Sequence, residues 1–120
     1  MKKFKLLIAA LLPLCGVTAQ EQTAPAQPET GIVFLESTYA EALQKAKDSG
    51  KILFIDCYTQ WCGPCKQLAR TTFKDAQVAE FFNESFVNLK LDMETPDGVT
   101  QKDKRGVNAY PTMVFIDPAS

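Results

Sequence analysis

The sequence predicts one α/β domain in which a central sheet is covered by helices on both sides. Three observations carry this expectation. From Gly31 onward, β-prone segments alternate with segments of helical apolar period. The run Ile52 to Ile55 is continuously apolar, as in a strand buried on both faces of a parallel sheet. The connections between segments are short, which implies right-handed crossovers. A chain of 120 residues, 46% apolar and 22% charged, has room for no second domain.

The elements follow in order. Residues 1–19 read as a secretory signal peptide: Lys2, Lys3 and Lys5 precede an apolar run from Leu6 to Leu14, and Val17-Thr18-Ala19 offers small or short side chains for cleavage after Ala19. The run is about half the roughly 20 residues that a membrane-spanning helix needs, so no stable span is expected in the mature chain. Cys15-Gly16 raises lipid attachment as an alternative, disfavoured because Leu14 is bulkier than the small residue such a site prefers. Residues 20–30 carry two prolines and no aromatic residue and read as a flexible tether, so the folded domain is 31–120. Its first β-prone run is Ile32 to Leu35. Thr38 and Glu41 then form a capping box for a helix bearing Tyr39, Ala42, Leu43 and Ala46, which Gly50 ends. Lys51 to Tyr58 is the strongest strand, and Asp56 is its one interruption. A helix should start near Cys62 and run to about Arg70, and Asp75 should cap a further turn or two carrying Val78, Phe81 and Phe82. Phe86 to Asp92 reads as a strand, Glu94 to Gly98 as a loop, Val99 to Arg105 as a short polar helix and Thr112 to Ile116 as the last strand.

Composition excludes several function classes. There is no histidine, which removes imidazole acid-base catalysis, Ser-His and Cys-His nucleophiles and histidine-ligated zinc. Without the three leader lysines, ten basic residues face fourteen acidic ones, a charge of −4 that argues against nucleic acid as a partner. Chemistry must rest on Cys, carboxylate, Lys or Tyr.

Those residues converge on Trp61-Cys62-Gly63-Pro64-Cys65, directly after the buried strand. Two cysteines three apart at a helix start can close a disulfide across one turn. The first keeps its sulfur at the helix N-terminus, where unpaired amides and the helix dipole favour thiolate. The geometry suits a nucleophile and a resolving thiol, and the first sulfur is expected to be the exposed one. A static disulfide is the other reading. A metal half-site is disfavoured, because outside the leader only Cys57 is left to complete four ligands, so no metal is expected. Cys57 itself reads as a small buried apolar filler.

The W-C-G-P-C run resembles the active-site sequence of the thioredoxin superfamily. Asp56, six residues before Cys62, resembles that family's buried acid behind the disulfide; Tyr110-Pro111-Thr112 resembles its cis-proline loop, and Arg105-Gly106-Val107 its preceding helix end. The likeness covers Ile32 to Ile116, and Thr71-Thr72-Phe73 gives it the flavour of exported members and of the periplasmic reductase domain of thiol:disulfide interchange proteins. It implies a three-layer sandwich around a mixed sheet, an enzyme without a cofactor, and a thiol-disulfide oxidoreductase that reduces protein disulfides. Cys62 would attack as thiolate, below the ordinary pKa of about 8.5, and Cys65 would resolve the mixed disulfide. Asp56 would exchange the proton of the enclosed second thiol. Trp61, Tyr110 and a cis Pro111 would bind substrate, while Gly63 and Pro64 would tune the redox poise in the reducing direction. The partners implied are protein disulfides and a membrane thiol carrier that returns electrons in an extracytoplasmic compartment. Oxidase or isomerase activity, or a client-binding module with a static bond, are the alternatives.

Two departures from the pattern bear on the site and the fold. The lysine that thioredoxins often pair with the buried acid is replaced by Asn88, and Lys90, two residues along on the same face, would alter the proton relay. The family also continues past the strand matching Thr112 to Ile116 with another strand and a helix. Since the sequence stops at Ser120, the expectation is a truncated fold with Met113, Val114, Phe115 and Ile116 on an open edge.

Overall fold

The computed structural model describes Gly16 and residues 30–120. The expected signal peptide, the lipidation alternative at Cys15 and the tether thus lie outside the described residues, except at Gly16 and Thr30. The described residues form four α-helices and a three-stranded mixed sheet, in the order α1 (Tyr39–Ser49), β1 (Ile52–Tyr58), α2 (Gly63–Arg70), a 3-10 turn (Thr72–Lys74), α3 (Ala76–Ser85), β2 (Phe86–Asp92), α4 (Pro96–Arg105) and β3 (Thr112–Ile116).

β1 is the central strand. It pairs in parallel with β2, Leu53 opposite Val87 and Asp56 opposite Lys90, and antiparallel with β3, Phe54 opposite Phe115 and Asp56 opposite Met113. Because side chains alternate along a strand, this register sorts the sheet into two different faces. Leu53, Ile55 and Cys57 join Val87, Leu89 and Leu91 against Ala42 and Ala46 of α1, with Met93 and Val107 closing the layer. Phe54 looks the other way into Phe34, Phe73, Phe82, Phe86 and Phe115, with ring centroids 4.9–6.4 Å apart.

Local signals fix most helix boundaries. The Thr38–Glu41 capping box is present, and Gly50 turns the chain out of α1 in the left-handed region at φ 65°. Asp75 accepts from the amides of Gln77 and Val78 at 2.9 and 3.0 Å. The helix it caps runs for ten residues, longer than the expected turn or two, because Ala79 and Phe82 bury against Phe54 and stabilise it from outside.

Two expectations are corrected. Ile32 to Leu35 is not a strand: only Leu35 bridges to β2, at Leu89. The reason is that Val33 spends its N–H on the Asn83 side chain at 2.8 Å and Ile32 donates to Phe73 O at 2.8 Å, away from any ladder. Glu94 to Gly98 is only half loop, since α4 already begins at Pro96. Thr95 caps it by accepting from the Gly98 amide at 3.1 Å, and proline is well tolerated in a first turn, where its missing N–H would have no intrahelical partner. Residue 98 is glycine because α4 lies so close to the end of β2 that a Cβ there would strike the backbone of Asp92 and Met93.

Candidate active site

The site lies at the C-terminal end of β1, where a sheet strand hands over to a helix and amides point outward without partners. Cys62 is the N-cap of α2, with Gly63 and Pro64 exposed in its first turn. A disulfide joins Cys62 to Cys65, with Cα atoms 5.3 Å apart. The Cys62 Sγ also accepts from the Cys65 amide at 3.2 Å. A hydrogen bond of this kind, made by an orphan amide of the helix start, favours the charged form of a sulfur. Exposure does not single out Cys62, contrary to expectation: Cys62 is 2% exposed and Cys65 5%. The asymmetry between the two sulfurs therefore lies in capping rather than in access.

Asp56 is buried on β1, and its Oδ1 finds no hydrogen-bond donor among the described residues. Burial pushes its pKa up from 3.8 to about 6, and the positive charge of Lys90 pulls the other way. Lys90 thus stands in strand register with the acid, while Asn88 is opposite Phe54 and donates to Phe82 O at 3.3 Å. Lys90 also lies over the Tyr58 ring, 4.8 Å from its centroid. A cavity of about 400 Å³ opens beside Cys65 between Lys66 and Arg70 of α2 and Tyr58 and Lys90 of the sheet.

The opposite rim is aromatic. Trp61 is 66% exposed, which excludes it from the core. It meets half-buried Tyr110 edge-on, centroids 6.0 Å apart. The Tyr110–Pro111 peptide bond is cis, as the resemblance implied. The structure therefore brings Trp61, which precedes the Cys62–Cys65 turn, against Tyr110, which precedes Pro111, and places Asp56 and Lys90 on the neighbouring strands. Sequence reasoning missed Glu94, whose carboxylate accepts the Trp61 indole N–H at 2.6 Å. No short-range signal marks a contact between residues 33 positions apart. Cys57, the neighbour of Asp56, faces the aliphatic layer; burial, with Asp56 adding to it, pushes its thiol up to about 11.

A strand-turn-helix that presents a Cys-Gly-Pro-Cys disulfide beside a cis-proline loop defines a thiol-disulfide exchange site. The family model described as thioredoxin-like matches residues 35–118, and the chain belongs to that family. It is 40% identical over 115 residues to the thiol:disulfide interchange protein DsbD of Ralstonia nicotianae, which takes in 89% of this chain and 18% of that protein. Thioredoxin H4 of Arabidopsis thaliana is 39% identical over 74 residues, 62% of this chain and 58% of the relative. The chain thus spans well under two thirds of these relatives' own length. Among solved structures, that of a candidate disulphide-isomerase from Bacteroides thetaiotaomicron is 50% identical, with a TM-score of 0.69 over 78% of each chain. The chain thus carries a thioredoxin-like domain with a CxxC disulfide, Cys62–Cys65. No helix of the described residues is long and apolar enough to cross a membrane.

Proposed function

We propose that the protein is an exported reductase of protein disulfides. The observation that carries this reading is the N-cap position of Cys62, whose sulfur accepts an amide hydrogen bond from Cys65. In the dithiol form Cys62 attacks a client disulfide as thiolate, and one client sulfur leaves as a thiolate that takes up a proton. Cys65 then loses its proton and attacks Cys62 of the mixed disulfide, which releases the second client thiol and closes Cys62–Cys65. Two electrons and two protons have passed to the client. Asp56 handles the Cys65 proton, with Lys90 biasing its charge. Trp61, Tyr110 and Pro111 bind an extended client segment, and Gly63-Pro64 keeps the pair reducing. Residues 1–19 export the chain, residues 20–30 tether it, and a membrane thiol carrier returns the electrons.

A second reading, isomerase, draws support from the printed name of the Bacteroides relative. The potential tests the reductase against an oxidant, and the cysteine variants test it against the isomerase. A Cys62–Cys65 potential near about −270 mV supports the reductase, whereas one near about −120 mV overturns it in favour of an oxidant. Cys62→Ser abolishes turnover of an insulin disulfide, and Cys65→Ser accumulates mixed disulfides with clients. Full disulfide shuffling by the Cys65→Ser variant, without net reduction, supports the isomerase instead.

A further inference from the structure

Trp61 carries an exposed ring that is nevertheless held at two points. Its N–H bonds the Glu94 carboxylate at 2.6 Å, and its edge meets Tyr110 at a centroid distance of 6.0 Å and an interplanar angle of 81°. Glu94 is itself held. Its amide donates to Asp92 Oδ1 at 3.0 Å, and Asp92 Oδ2 accepts the side-chain amide of Gln60 at 3.2 Å. The turn between β2 and α4 therefore grips both residues that precede Cys62. That turn is anchored in the fold: Met93 donates to Tyr58 O at 2.8 Å, Thr95 Oγ1 donates to Asp92 O at 2.7 Å, and α4 packs directly on it through Gly98.

Two exposed polar groups have little need of each other for folding, because water satisfies both. A short hydrogen bond to a carboxylate adds direction instead. We infer that Glu94 is a positioning residue of the redox site, one that fixes the Trp61 ring against Tyr110 so that a client segment meets a preformed aromatic wall beside the disulfide. This rests on the reading of Trp61, Tyr110 and Pro111 as the client-binding rim. A ring that is already oriented spares the client the cost of ordering it, so the contribution falls on client affinity rather than on the chemistry of the sulfurs.

The chain has a single tryptophan, so its fluorescence reports this ring alone. In the full chain Glu94→Ala should lower the Trp61 anisotropy and raise KM for insulin about five-fold, the factor that about 1 kcal/mol of lost orientation implies. Turnover of hydroxyethyl disulfide, too small to need the wall, should stay within about two-fold, as should kcat for insulin. Glu94→Gln keeps an acceptor oxygen and should restore both anisotropy and KM. Wild-type anisotropy and KM in Glu94→Ala, a parallel loss on both disulfides, or failure of Glu94→Gln to restore the ring's order would each overturn the inference. If the wild-type protein turned over neither disulfide, the functional reading would fall instead, and the anisotropy pair would still decide whether Glu94 holds Trp61.

Discussion

The two faces of the sheet are built from the same three strands and do opposite things. On one, Leu53, Ile55 and Cys57 of β1 and Val87, Leu89 and Leu91 of β2 form an unbroken aliphatic layer against α1. On the other, the same strands begin aromatic, with Phe54 and Phe86 beside Phe115 of β3, and end polar, with Asp56 and Tyr58 beside Lys90 and Asp92. The polar ends lie where β1 hands over to the Cys62 turn. Apolar packing thus anchors the strand at its start, and the acids, Tyr58 and Lys90 share one face at its finish, with the Cys57 thiol on the other. A one-residue slip in register would exchange Asp56 with Cys57 and bury the acid in the aliphatic layer. The aromatic face is also the less complete: Phe115 is 51% and Met113 44% exposed on β3, whereas the aliphatic face holds Leu53 and Leu89 at 0%.

Phe54, Asp56 and Cys57 lie on one strand and separate the roles of the two faces. Phe54 should give the largest effect. Its ring is fully buried among five other phenylalanines. Phe54→Ala should cost about 3–5 kcal/mol in chemical denaturation, while Phe115→Ala, on the half-exposed rim of the same cluster, should cost about 1 kcal/mol. Equal losses at the two positions would show that the rim is covered as fully as the centre.

Asp56 comes next and carries a sign. Its pKa in the fold, about 6, exceeds the ordinary 3.8 because burial penalises the charge. The folded state therefore binds the proton more tightly than the unfolded chain, and stability falls as pH rises from about 4 through about 6. The penalty is absent below that window and complete above it. Asp56→Asn should accordingly stabilise the protein by about 2–3 kcal/mol at pH 8, with the gain vanishing below about pH 4. The same variant should slow insulin reduction and remove any limb of the rate profile near pH 6. A stabilisation independent of pH would mean that the carboxylate is solvated in the native state.

Legibility from sequence followed the range of the physics. Cys62, Cys65, the Thr38–Glu41 box and the Phe86–Asp92 strand are each signalled within a few residues, and each stands where expected. The start of α4 was hidden because Pro96 and Gly98 read as loop formers; Pro96 sits in a Thr95-capped first turn, and Gly98 is there because β2 leaves no room for a side chain. Lys90 was legible two residues beyond Asn88 on the same face of its strand, and the register puts it opposite Asp56. The hold of Glu94 on Trp61 depends on a turn docked across the site and does not exist until the chain is folded.

Cys57 should give the smallest effect, although it is a thiol one residue from the site's acid. It faces the aliphatic layer, is 1% exposed, and burial together with the neighbouring Asp56 charge pushes its thiol up to about 11. At pH 8 only about one thiol in a thousand would then be ionised, and the thiolate is the reactive form. Cys57→Ala should leave insulin reduction unchanged and cost about 1 kcal/mol of stability, the scale of removing one buried heavy atom from a packed core. Iodoacetamide applied to the reduced native protein at pH 8 should label Cys62 and spare Cys57, and added denaturant should make Cys57 reactive. Peptide mapping reads both states. Native labelling of Cys57 at a rate comparable to that of Cys62 would mean that the aliphatic face opens on the timescale of the reaction, and the separation of a packed face from a reactive one would not hold.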